Sequence, residues 1–206
     1  MLENYLLYLG FITNKIQKYF AEQQEYICCS KGCSKCCLGA QFPYSDIEFK
    51  LLSEGLKALE QEKQKLVMNR INEIKAEREN YLKNNHEEPF RYNCPFLINN
   101  ECSIYYYRGL VCRTFGLITF IPDSPKTPRM PFCAYDGLNY ANVLDKEKSN
   151  ISDIKFLESG LKNEPKAYNI DYSTLINEEI ATGFGFEFGE VKPLIEWFII
   201  PQNPSH

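Results

Sequence analysis

The chain has 206 residues, with 23 Lys and Arg against 27 Asp and Glu, and a formal net charge of −4. That length suits one large domain, or a domain with extensions, and can bury a core without disulfide staples. Apolar residues make up 44%, including 14 Tyr and 14 Phe. This excludes a disordered chain, and the acidic balance without a Lys/Arg run argues against a nucleic-acid partner, whose binders show a basic patch.

Residues 2 to 26 are predicted to be helical. Leu2, Leu6, Leu9, Ile12, Ile16, Tyr19 and Phe20 recur at three- and four-residue steps, which makes one apolar face, although Gly10 weakens it. The same stretch does not read as a signal peptide. It has no basic leader, Glu3, Asn4 and Thr13 interrupt the apolar run, and no small-residue cleavage site follows. No stretch approaches the ~18 apolar residues of a membrane span, so no membrane partner is expected. The expected location is the cytoplasm, where thiols stay reduced.

Five of nine cysteines follow within ten residues: Cys28, Cys29, Cys33, Cys36 and Cys37. Nine cysteines in a reducing compartment point to metal binding or catalysis more than to disulfides, and an odd number leaves one thiol over. Gly32 and Gly39 break the run into a loop that can fold around an ion.

Ser45 and Glu48 make a capping-box pattern before an apolar run. It predicts a helix from Asp46 to about Leu59. A second helix is predicted from about Glu62 to Lys83, carrying Leu66, Ile71, Ile74 and Leu82 amid charges that read as a solvated face. The two could also be one helix interrupted near Gly55. His86 stands alone in a polar loop and reads as a surface histidine, and His206 is terminal.

From residue 90 the texture changes. Two short apolar runs flank Asn99-Asn100, a hairpin turn pattern. The run "VCRTFGLITFI" reads as a strand, and the proline-rich 122–131 as a loop. Residues 152–182 hold one or two predicted helices, broken near Pro165. The aromatic, Gly-rich tail returns as a strand or short helix. The expected fold is a mainly helical α+β single domain spanning residues 1–206. It has a small β element and an irregular cysteine-rich metal-binding core at 28–134. Residues 45–84 form a helical insertion, and 140–206 a C-terminal extension.

The remaining cysteines are Cys94, Cys102, Cys112 and Cys133. Thiolates bind zinc tetrahedrally or hold the irons of an iron–sulfur cluster, and local pairs two or three residues apart suit both. Adjacent side chains in extended backbone point to opposite sides, so the vicinal Cys36-Cys37 suits two neighbouring metals better than one ion. With a two-residue turn at 99–100, Cys102 lies opposite Leu97 and Cys94 falls on the other face. Ligand sets therefore stay open at this point.

The motif "CSKGCSKCC", then "CPFLINNECSIYYYRGLVCRTFG", then "FC" resembles the CxxCxxCC cysteine-cluster family of zinc- or iron-chelating (YkgJ-like) proteins. Cys29, Cys33, Cys36, Cys37, Cys94, Pro95, Phe96, Leu97, Cys102, Ile104, Tyr105, Arg108, Cys112 and Arg113 fall on its pattern, and Cys133 is the late cysteine. Two departures stand out: the first spacing is three residues, and Gly109 stands where Pro is usual. Cys28 matches nothing. The resemblance implies that Cys29, Cys33, Cys36, Cys37, Cys94, Cys102, Cys112 and Cys133 hold metal.

Part of the motif also resembles flagellin lysine N-methylases, which raises protein-modifying chemistry on a protein substrate. No Gly-rich strand–helix turn offers a nucleotide or S-adenosylmethionine site. The spacing of Cys29, Cys33 and Cys36 resembles that of radical S-adenosylmethionine enzymes, but the alternating strands and helices of those enzymes are missing from the pattern.

Arg108 and Arg113 flank Cys112 and are candidate cofactor-binding residues. They could offset the charge of a four-thiolate centre, or simply pair with the many Glu residues. Tyr105, Tyr106 and Tyr107 read as core packing ahead of a shield for a cluster. The reading favours an iron–sulfur cluster (4Fe-4S), with zinc as the alternative, in a metal-binding protein of redox or protein-modifying role. A structural-zinc interaction module with a protein partner is the other reading.

Overall fold

A computed structural model describes residues 1–39, 42–84, 89–121 and 124–199. His86, His206 and residues 122 and 123 of the proline-rich segment lie outside the described residues. The fold is α+β, with helix predominating over four small sheets among the described residues.

Helix α1 spans Leu2–Glu22 and runs into a single 3-10 turn at Gln24–Tyr26. Its buried face is Tyr5, Tyr8, Leu9, Ile12 and Ile16. The leucine-based face expected from the sequence is corrected here, because Leu6 is 45% exposed and two tyrosines take the inward positions. After strand β1, Pro43–Ser45, helix α2 spans Asp46–Lys57 and α3 spans Gln61–Lys83. The capping box forms as expected: the buried Glu48 carboxylate accepts the Ser45 backbone N–H at 2.9 Å and its hydroxyl at 2.8 Å. The two helices are separate. On α3 the buried residues are Val67, Ile71 and Ile74, while Leu66 and Leu82 face out.

Strands β2, Leu97–Ile98, and β3, Glu101–Cys102, form the expected hairpin. Asn99 and Asn100 both take positive φ, 51° and 62°, as a tight two-residue turn requires. The next segment departs from expectation. Leu110–Thr114 is a short helix, α4, and only Ile118–Ile121 is a strand, β4. The proline-rich stretch is a strand as well: β5, Ser124–Arg129, pairs antiparallel with β4. It sits at the edge of a three-stranded sheet ordered β5-β4-β8, where β8 is Ala167–Tyr168. Proline has no N–H to give a ladder, and an edge strand can leave one side unbonded, so Pro125 and Pro128 are tolerated there.

A second hairpin pairs β6, Leu144–Asp145, with β7, Asn150–Ile151. Three short helices follow: α5, Asp153–Ser159; α6, Tyr172–Leu175; and α7, Glu178–Phe184. The chain ends its described part with β9, Val191–Pro193, paired antiparallel to β1, and a 3-10 helix at Leu194–Phe198.

These elements form two compact units that interleave along the chain. The first comprises Glu3–Lys31 and Leu110–Glu187. Its core gathers Tyr26, Ile118, Met130, Ala134, Tyr140 and Leu144. Tyr5 and Tyr8 of α1 pack on Phe186, with ring centres 5.4 and 5.5 Å away. The second unit comprises Gly32–Gly109 and the described chain from Phe188. There Phe49 of α2 stacks on Trp197 at 5.1 Å, and the Trp197 indole donates to the Tyr44 carbonyl at 3.0 Å. Arg78 of α3 pairs with Glu196. Among the described residues, no helix is long and apolar enough to cross a membrane.

Candidate metal centre

The second unit holds Cys33, Cys36, Cys37, Cys94 and Cys102. Gly32 takes φ 89° and turns the chain into this segment. Cys36 and Cys37 sit on a 3-10 turn, Lys35–Cys37. This overturns the premise of an extended backbone at the vicinal pair. On the turn the two sulfurs point the same way and stand 3.9 Å apart. The Cys37 carbonyl accepts the backbone N–H of Cys94 at 2.8 Å, which seats the second motif on the first.

The hairpin register matches expectation, with Cys102 opposite Leu97. Cys94, however, escapes strand alternation. The chain turns between Cys94 and Leu97, whose N–H donates to the Cys94 carbonyl at 3.0 Å. The thiols of Cys94 and Cys102 both reach the neighbourhood of Cys37, and Cys102 also that of Cys36.

The closeness of these four thiols sets their electrostatics. The hydrogen bond from Cys36 to Cys37, then burial, push the Cys36 thiol well above the ordinary range, against the pull of Arg108. Cys37 is lowered by that bond from Cys36, but its own bond to Cys94, burial and the neighbouring charges of Cys94 and Cys102 outweigh it. The net effect is a value pushed up to about 12. Burial raises Cys102, opposed by the Ile104 backbone N–H and by Arg108. Four ionised thiols cannot share this pocket without a cation, since like charges at such range disfavour each other.

The positive charge of Arg108 lies near enough to Cys36 and Cys102 to oppose the rise of their thiols. Its guanidinium lies over the Tyr105 ring, 3.8 Å from the centre, a cation–π stack that fixes the cation beside the sulfurs. Arg113 lies in the first unit, where it donates to the Thr13 hydroxyl at 3.3 Å. The tyrosine expectation is corrected in part. Tyr107 packs on α2, at the Gly55 position, but Tyr105 is 52% and Tyr106 84% exposed.

Gly109, where Pro is usual in the motif, has a local cause. Its N–H donates to the Tyr44 hydroxyl at 3.1 Å. A Cβ at this position would stand 2.8 Å from both Glu48 Oε1 and the Tyr44 ring.

Beside the thiols lies an open polar groove of about 580 Å³, lined by Cys94, by Arg70, Glu73 and Glu77 from α3, and by Arg91 and Asn93. Arg70 donates to the Leu97 carbonyl and Arg91 to that of Gly39 at 3.3 Å, so both guanidiniums brace the cysteine loops. No sequence feature marked this groove.

Cys29, Cys112 and Cys133 belong to the first unit, as does Cys28. Cys28 and Cys29 are exposed, Cys112 is half-buried on α4, and Cys133 is buried on a 3-10 turn, Phe132–Ala134. A residue missed in the sequence stands here: the Asn139 side chain donates to the Cys29 sulfur at 3.3 Å. None of the nine cysteines is in a disulfide. Among the described residues, no three Cys, His, Asp or Glu side chains stand in the geometry of a closed metal site.

Soft thiols held near one another on an α+β fold are the donor chemistry of a metal chelator. A model of the CxxCxxCC family, described as "Putative zinc- or iron-chelating domain", matches residues 28–134. That is just over half of the chain, and the chain belongs to this family. Neither the comparison with curated proteins nor that with solved structures returns a match.

Proposed function

We propose that the second unit binds a single zinc or iron ion through the thiolates of Cys36, Cys37, Cys94 and Cys102, as a structural centre. The 3.9 Å between the Cys36 and Cys37 sulfurs carries this reading. With metal–sulfur bonds of about 2.3 Å, a tetrahedral four-thiolate site has sulfur–sulfur edges of about 3.8 Å. Two adjacent cysteines at that spacing suit one ion. A [4Fe–4S] cluster takes one cysteine per iron, which sets its ligand sulfurs farther apart. Four thiolates close the coordination sphere, as structural sites do, and this favours an interaction module over a catalyst. Arg108 offsets part of the net charge. Cys29, Cys112 and Cys133 are proposed as ligands of a separate site within the first unit, with Cys28 outside it, and Cys33 stays a candidate ligand with no ion assigned to it. An iron–sulfur cluster is the second reading, favoured by the number of thiols, which exceeds what one ion takes.

Anaerobic purification followed by metal and acid-labile sulfide analysis separates the two. The expected result is zinc or iron without matching sulfide. Sulfide equal to the iron would overturn the single-ion reading in favour of a cluster, and a metal-free chain with reactive thiols would overturn both.

Proton linkage gives a second test. Cys36 and Cys37 hold their protons well above the ordinary thiol range in the metal-free fold, and burial raises Cys102 as well. A metal must displace those protons, so loading releases acid and the apparent affinity rises with pH. The metal-free fold behaves oppositely. Its thiols are raised relative to the unfolded chain, so this contribution to stability is intact below the ordinary value of 9.0 and is lost as pH climbs towards about 12. Titration in weak buffer should show proton release on loading. Thermal unfolding across the alkaline range should show the metal-free protein losing stability while the loaded protein holds.

A further inference from the structure

Asn139 lies beyond the matched region, yet it is 1% exposed and all of its polar atoms are engaged. It leaves a turn built on Cys133, whose carbonyl accepts the N–H groups of Asp136 at 3.2 Å and Leu138 at 3.1 Å. The next residue, Tyr140, donates its N–H to the Tyr26 carbonyl at 3.1 Å and stacks its ring on Tyr26. That lays the turn against the chain leading into Cys28.

From this position the carboxamide makes four contacts within the first unit, one of them from the Cys29 thiol to its oxygen at 3.7 Å. Its oxygen accepts the Cys28 backbone N–H at 2.8 Å. Its nitrogen donates to the Gly116 carbonyl at 2.9 Å and to the Cys29 sulfur at 3.3 Å. Gly116 follows the α4 helix that bears Cys112. A single buried amide thus joins the segments of Cys29, Cys112 and Cys133. Gly116 leaves the room this needs, because a Cβ there would meet the Asn139 nitrogen at 2.9 Å and the Cys29 sulfur at 3.3 Å.

The protonated thiol can turn to the carboxamide oxygen, but once its proton is lost the sulfur keeps only the shorter contact, from the amide N–H. An N–H aimed at sulfur stabilises the thiolate, the form that binds metal. The grip takes the backbone of Cys28 but the sulfur of Cys29, which leaves the Cys28 thiol outside it. Only a carboxamide offers one acceptor and two donors in this plane.

We propose that Asn139 is a positioning residue of the metal site, which selects Cys29 over Cys28 as ligand and donates an N–H to its bound sulfur. The proposal rests on the reading of Cys29 as a metal ligand. Such outer partners typically change metal affinity about 10–100-fold when lost.

The test uses the full chain loaded anaerobically with cadmium-113 in place of the native metal. In the unaltered chain, a scalar coupling between cadmium and a side-chain amide proton of Asn139 is expected, with Cys29 protected from iodoacetamide and Cys28 alkylated. Asn139→Asp keeps the shape but removes the donor. It should weaken cadmium binding about 10–100-fold and expose Cys29, while Cys36, Cys37, Cys94 and Cys102 stay protected. Cadmium bound with Cys29 protected but no coupling to Asn139 overturns the proposal, even if the variant fails to fold. So does an Asn139→Asp chain that protects Cys29 as the unaltered chain does. If the unaltered chain takes up no cadmium, or binds it with Cys29 still alkylated, the ligand reading of Cys29 falls first and takes this inference with it.

Discussion

Cys37→Ser is expected to abolish metal binding in the second unit while leaving its backbone in place. Cys37 is the hub of the four thiols: it is bonded to Cys36 on one side and Cys94 on the other, and it feels the charge of Cys102. Serine is close in size, and the carbonyl that holds the Cys94 N–H is untouched. The loss should therefore appear as missing metal rather than as a collapsed fold. A metal present at 1,000 times its Kd adds about 4 kcal/mol to stability. The metal-dependent rise in Tm should accordingly shrink or vanish in Cys37→Ser, with the metal-free Tm little changed. Cys28→Ser is the control and should keep full metal content. Paired metal analysis and thermal melts check both. A Cys37→Ser chain with full metal content would sink the proposed four-thiolate centre.

Gly109→Pro is expected to damage the fold, even though proline is the usual residue at this point of the motif. The substitution removes the N–H that bonds Tyr44 and drives carbon into Glu48 and the Tyr44 ring. Overpacking of this kind costs about 1–3 kcal/mol, and loss of the Gly109 N–H bond to Tyr44 costs about 1 more. At roughly 2–4 °C per kcal/mol for a chain of this length, a total of about 2–4 kcal/mol should lower the Tm by about 4–16 °C. Because Glu48 also caps α2, the loss should spread to that helix. Thermal unfolding by circular dichroism measures it. A Gly109→Pro chain as stable as the original would show that Tyr44 and Glu48 are free to move aside. Gly109→Ala, which keeps the N–H, should show the steric part alone.

Where the chain's local chemistry was self-sufficient, the sequence was readable. Ser45 and Glu48 cap α2 by a pattern confined to four residues, and Asn99-Asn100 tolerate the positive φ of the hairpin. The cysteine motif that marks the family could be read, but not the placing of its thiols. Parity arguments assume extended chain, and the 3-10 turn at Lys35–Cys37 and the turn after Cys94 both break that assumption. The strand β5 was hidden by its prolines, which matter only once the strand is known to lie at an edge. The face of α1 was misjudged because tyrosine, half polar, was passed over for leucine. Asn139 carried no signal at all. A lone Asn in a loop becomes informative only when folding buries it against Cys28, Cys29 and Gly116.

The backbone bond from Cys94 to Cys37 has a consequence for how much chain can lie between the two motifs. That bond closes a loop of 56 intervening residues. Bringing the ends of a flexible loop of that size together costs about 3.6 kcal/mol of entropy by the logarithmic law, and doubling the length adds only about 0.6. Closure is met by folding, through α2, α3 and the carbonyl of Cys37, before any ion arrives. The centre is therefore nearly indifferent to the size of the helical segment it encloses. What limits changes to that segment is therefore the packing of α2 and α3, through Phe49 on Trp197 and Arg78 on Glu196, rather than the entropy of closing the loop.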